Sequence, residues 1–152
     1  MPTHTGETDE ERLALETLTA LARASNAVMA ALIGPLQRDH GLTESQLGVL
    51  EALLQGGPLT QGQLCARILR SGSNLTTVVD NLERAALVRR ARDAADRRVQ
   101  RVHLTDRGRE VIEAALPAHA ARVTRLLACL SPDERRELVG LCTRLGSAAS
   151  AS

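Results

Sequence analysis

No phenylalanine, tyrosine or tryptophan occurs in the 152 residues. Without aromatic faces the chain has no stacking platforms, so it is not built like readers of unpaired bases. Its core must come from Leu, Val, Ile, Ala and Met, a set that suits helices packed on helices. Hydrophobic residues make up 43% of the chain, enough for such a core. Lysine is absent too, and all 19 basic residues are arginine. Cysteine is scarce: Cys65, Cys129 and Cys142 are odd in number, far apart and without a CxxC pair, which fits neither a disulfide framework nor a zinc module. His4, His40, His103 and His119 show no metal-ligand spacing, so no metal or cofactor is expected. No GxSxG, P-loop, HExxH or dinucleotide fingerprint is present, and an enzyme is not expected. The start of the chain is polar and acidic, unlike a signal peptide. No unbroken apolar run approaches the roughly 20 residues that span a bilayer. These absences together point to a cytoplasmic protein without a membrane segment.

What is present is unevenly distributed. Net charge is only +1, yet residues 84–109 hold nine arginines against Asp93, Asp96 and Asp106. That segment carries an excess of six positive charges, balanced by an acidic remainder. A basic block in a neutral chain suits a polyanionic partner.

Apolar periodicity predicts a helix from Glu10 to about His40, kinked at Gly34-Pro35 because proline removes a backbone donor. Its apolar residues occupy more than one face, so a second subunit is expected to cover it. Residues 1–9 and 147–152 read as flexible tails. Thr43 and Gln46 form a capping box for the next helix. Thr60 caps a short helix over 62–69, and Ser71-Gly72-Ser73 reads as a turn before a helix over 74–86. The period then shortens. Residues 87–92 and 99–104 read as two strands about the polar turn 93–98. Thr105 caps a helix that meets Pro117 and continues towards Leu130, and Ser131-Pro132 starts the last one.

Two short helices about a Gly-containing turn, followed by a hairpin, make a winged helix-turn-helix over residues 59–105. The second helix would enter a major groove by its N-terminal end. Ser71, Ser73, Asn74, Thr76, Thr77 and Asn81 stand there, short hydrogen-bonding side chains suited to phosphates and base edges. Ser71, Ser73 and Asn74 could each simply cap a helix. In the hairpin, Arg90, Arg92, Arg97 and Arg98 are candidate contacts, and a guanidinium at the tip can enter a minor groove. An acid there would oppose DNA, so Asp96 is expected to hold Arg98 through a bidentate pair. The plainer alternative has Asp96 bonding only its own backbone.

The run SGSNLTTVVDNLERAALVRRARDAADRRVQRVHLTDRG resembles the core of the MarR family of winged helix-turn-helix transcriptional regulators. The matching features are Asp96-Arg97-Arg98 in the wing and Leu104-Thr105-Asp106-Arg107-Gly108 after it. The resemblance covers residues 10–146. It implies a mainly α fold with a two-stranded wing, and a homodimer joined through residues 10–40 and 110–146. It also implies a regulator, usually a repressor, that binds a pseudo-palindromic duplex operator, with Arg98 in the minor groove, and is released by a small-molecule effector or an oxidant. The missing aromatics set the chain apart from the family's urate-responsive members. The first helix lacks the cysteine of its peroxide sensors. Cys65 is the candidate redox thiol, though more simply a small buried apolar residue. A winged helix that binds protein rather than specific DNA is the alternative.

Overall fold

The computed structural model describes residues 8–68 and 74–152. Most α-helices in it start where a Thr or Ser hydroxyl accepts from the backbone N–H three residues on, whose Glu or Gln side chain accepts in return from the cap's own N–H. Helix α1 (Asp9–His40) is capped by Thr8 and Glu11, α2 (Glu44–Gly56) by Thr43 and Gln46, and α3 (Gln61–Arg67) by Thr60 and Gln63. Asn74 caps α4 (Leu75–Arg84). Strands β1 (Val88–Arg92) and β2 (Gln100–Leu104) follow, then α5 (Asp106–Leu126), a 3-10 turn (Leu127–Cys129) and α6 (Pro132–Ser150), which Ser131 and Glu134 cap. Each box satisfies two backbone donors that a helix end otherwise leaves open.

As expected, helix α1 continues past Pro35 and α5 past Pro117. Other expectations are amended. α5 stops at Leu126, where the backbone tightens into the 3-10 turn. The last helix passes residue 146 and reaches Ser150, so 147–150 are not a frayed tail. Alanines favour the helix there, and the Ser150 hydroxyl donates to the Gly146 carbonyl at 2.9 Å. Composition also understated α1, which has an 18-residue window with a mean hydropathy of 1.2 and few charges. By length and composition alone that helix could cross a membrane. However, Leu36 near its end is part of the folded core.

The chain divides into two compact units, residues 1–116 and 117–152. In the first, Leu47, Val49, Leu50 and Leu53 of α2 pack with Leu64 of α3, Val79 and Leu82 of α4, Val88 and Val102 of the strands, and Ile112 and Ala115 of α5. β1 and β2 are antiparallel, with Val88 opposite Leu104 and Arg92 opposite Gln100. Leu59 pairs with the other edge of β2, exchanging backbone hydrogen bonds with Val102 at 2.7 and 3.2 Å. That third rung ties the wing to the start of α3.

Much of the apolar surface is left over. Leu13, Leu15, Leu18, Leu21 and Ile33 stand exposed on α1, which buries only Leu32 and Leu36 in the single chain. In the second unit, Leu138, Val139, Leu141 and Leu145 stand exposed on α6. Exposed leucines in rows, unlike scattered ones, mark surfaces made for covering.

Candidate nucleic-acid interface

Helix α4 is sharply two-faced. Leu75 and Val78 are half-buried and Val79 and Leu82 buried, while Asn74, Thr76, Thr77, Asn81 and Arg84 are exposed. The inward positions recur at three and four residues, so the polar set is forced onto the opposite face. The Asn74 carboxamide accepts from the Thr77 N–H at 3.4 Å. The Thr76 hydroxyl accepts from the Gln61 amide at 2.5 Å, joining the first turns of α3 and α4. Ser71 and Ser73, expected beside this set, lie outside the described residues.

The end of α4 is a Schellman turn with an alanine in the glycine position. Leu87 N–H donates to the Leu82 carbonyl at 3.0 Å and Ala86 N–H to that of Glu83 at 2.9 Å. Ala86 takes φ 60°, a left-handed conformation that costs a non-glycine residue about 1–2 kcal/mol. Buried Leu82 and Leu87 flank the turn and hold it closed.

The far end of the wing is fastened by Thr105 and Gly108. The Thr105 hydroxyl donates to the Ala86 carbonyl at 2.7 Å and accepts from Gly108 N–H at 3.0 Å, while Thr105 N–H donates to Leu87 O at 3.1 Å. Gly108 packs so closely that a Cβ there would lie 2.0 Å from the Leu87 carbonyl oxygen. This gives the Leu-Thr-x-x-Gly pattern a physical reason: Thr105 bonds three backbone groups, and Gly108 leaves room for one of them.

Two aspartates shape the wing tip. Asp93 accepts from Ala95 N–H at 2.9 Å and from Arg101 Nε at 2.8 Å. Asp96 accepts from Arg98 three times: from the backbone N–H at 3.1 Å, Nε at 3.1 Å and Nη2 at 3.3 Å. Both readings of Asp96 therefore hold together, because it bonds its own turn and grips the guanidinium side-on. The Arg98 side chain is 91% exposed, and its Nη1 has no hydrogen-bond partner among the described residues. Both carboxyls sit below the usual aspartate range. For Asp93 the Ala95 N–H is the larger cause and Arg101 the next, and for Asp96 the Arg98 side chain leads and its backbone N–H follows. Since the folded value is lowered, the tip's order is present at neutral pH and lost only as the pH falls into strong acid.

Arg92 and Arg97 are exposed, with no ion-pair partner among the described residues. Arg90 departs from its expected place as a wing contact. It is half-buried against α4, with Nη1 2.7 Å from Asp80 and 3.2 Å from Glu83. Arg101, one of the hairpin arginines in the sequence, is turned inward, reaching Gln63 of α3 at 3.4 Å besides Asp93. Cys65 is exposed rather than buried, as are Cys129 and Cys142. Exposure is a condition for thiol chemistry but no sign of it.

Known proteins resemble this chain in both sequence and fold. The sequence profile of the MarR family matches residues 40–99. YkoM of Bacillus subtilis, an HTH-type transcriptional regulator, is 35% identical over 138 residues, which is 91% of this chain and 89% of YkoM. The chain belongs to the MarR family. Two solved structures extend the likeness. Sco3205 of Streptomyces coelicolor, a MarR-family regulator in complex with DNA, superposes with a TM-score of 0.81 at 27% identity, over 94% of this chain and 93% of Sco3205. BpsR of Bordetella bronchiseptica, whose DNA binding is regulated by 6-hydroxynicotinic acid, superposes with a TM-score of 0.74 at 26% identity, over 86% of this chain and 98% of BpsR. The mainly α fold with a two-stranded antiparallel wing that the MarR resemblance implied is thus the fold observed.

Proposed function

We propose that this MarR-family chain is a cytoplasmic, sequence-specific transcriptional regulator. It binds a pseudo-palindromic DNA duplex as a homodimer, with α4 of each protomer in a major groove and each wing in the flanking minor groove. The observation that carries this reading is the Asp96–Arg98 pair. A guanidinium held at two points on a protruding turn, with one end free, suits a narrow groove of high negative potential. Asn74, Thr76, Thr77 and Asn81 form the polar face towards base edges and phosphates, and exposed Arg92 and Arg97 add backbone contacts. The leucine rows of α1 and of α6 support the dimer, because apolar faces of that kind need a partner surface. In the family, ligand-responsive repression is typical, and BpsR provides an example of DNA binding set by a small molecule. A ligand that favours a wrong spacing of the two α4 helices would release the duplex by the same coupling.

Arg98→Ala is expected to weaken duplex binding by about 1–3 kcal/mol, roughly 5- to 150-fold. Arg136→Ala removes an equal charge from α6, where Arg136 pairs with Asp133, and should leave binding near wild type. Gel-shift titrations of the two variants side by side decide the matter, and equal losses would sink the wing assignment.

A further inference from the structure

We propose that Arg90 is a positioning residue for DNA reading: it locks α4 to the base of the wing and neutralises Asp80 on the groove-facing row, without touching DNA itself. This inference rests on the DNA-binding reading above. Three contacts converge on the one residue. Its Nη1 lies 2.7 Å from Asp80 Oδ1 and 3.2 Å from Glu83 Oε1, and its backbone N–H donates to Glu83 Oε2 at 2.9 Å. Glu83 thus grips the side chain with one oxygen and the strand's backbone with the other. The Arg90 side chain is only 19% exposed, against 91% for Arg98. One arginine is set for solvent and the other for the fold.

The placement of Asp80 gives the clamp its consequence. Asp80 lies four residues after Thr76 and four before Arg84, so it shares their row on α4. A bare carboxylate there would repel the phosphates that the rest of the row is to approach. In the structure its Oδ1 is committed to Arg90, and the charge is met from the protein's own side. The same contacts join α4 to β1 across the tight turn at Ala86, so they restrain the angle between recognition helix and wing. Recognition geometry of this kind must be held to about 0.5 Å and 10–20°. Both carboxylates are met by the single Nη1 of a guanidinium that stays charged at any working pH.

The test uses the full-length protein and two duplexes, one selected by the wild type from a random library and one scrambled. Arg90→Met should lower affinity for the selected duplex at least about tenfold, with affinity for the scrambled duplex within about twofold and its salt slope unchanged. Arg90→Lys, which keeps the charge and is the milder change for folding, should fall between the two. Asp80→Asn combined with Glu83→Gln should remove most of the further loss from Arg90→Met, because the partners are already gone. A salt slope reduced by about 1 in Arg90→Met would make Arg90 a phosphate contact and overturn the proposal. Equal losses on both duplexes, in step with the fraction unfolded, would make it merely structural and overturn it as well. A wild type that enriches no duplex fails at an earlier step, and overturns the DNA-binding reading and this inference together.

Discussion

Gly108→Ala should destabilise the protein by on the order of 3 kcal/mol, which corresponds to a fall in Tm of roughly 6–12 °C for a domain of this size. The first turn of α5 meets the backbone of Leu87 without clearance. An added Cβ would stand 2.0 Å from the Leu87 carbonyl oxygen, 2.9 Å from its carbon and 3.0 Å from Leu104 Cδ1. The nearest obstacle is a carbonyl that accepts from Thr105 N–H, so it cannot swing aside without losing that bond. Helix and turn must part instead, and the Thr105 hydroxyl, shared between Ala86 and Gly108, is pulled from both. Because the wing hangs from this joint, duplex affinity should fall together with stability. Thermal melts at fixed protein concentration check it, since the Tm of the proposed dimer would depend on concentration. An alanine variant that melts with the wild type would show that the close approach does not exist in solution.

Leu18→Asp and Leu141→Asp are each expected to break the proposed dimer and lower duplex affinity by about 10²–10⁴-fold, the range lost when two linked binding events become independent. Leu18 is 62% exposed in the single chain, so an aspartate there costs the protomer's core nothing. In a two-fold interface the same substitution occurs on both subunits and buries charge in an apolar contact. Light scattering coupled to size exclusion reads the mass, and a gel shift reads the affinity. A Leu18→Asp protein that remains dimeric and binds normally would remove the α1 face from the interface.

The glycine and the leucines differ in how far the sequence alone foretold their roles. The exposed leucines of α1 were legible, because their spacing repeats and their number exceeds what one face can bury. The capping boxes at Thr43, Thr60 and Ser131 were equally legible or nearly so, since partners three residues apart need no tertiary contact. The Asp96–Arg98 pair could be read for the same reason. Gly108 was visible as part of a pattern, but not its cause, because the Leu87 carbonyl comes from across the wing, 21 residues away in sequence. Arg90 was misplaced on similar grounds. Counted among the wing's arginines it looks like its neighbours, and only folding β1 back along α4 delivers it to Asp80 and Glu83. Arg101 and the Leu59 rung likewise depend on β2 meeting the start of α3. Cys65 was misjudged because a short helix with one buried leucine leaves most of its circumference to solvent. The extension of α6 to Ser150 follows from alanines that favour helix without carrying an apolar stripe.

The most direct test is a titration of the wild-type protein against a duplex it has itself selected from a random library, beside a scrambled duplex of equal length, at several salt concentrations. The account predicts a selected site of two inverted half-sites spaced by about one helical turn, 10–10.5 base pairs centre to centre. It should be bound at about 10⁻⁸ M or tighter, at least about 10³-fold better than the scrambled duplex, with log affinity falling steeply and linearly with log salt. Binding that is micromolar, indifferent to sequence and only weakly dependent on salt would contradict it, and would make this winged helix a surface for protein rather than DNA.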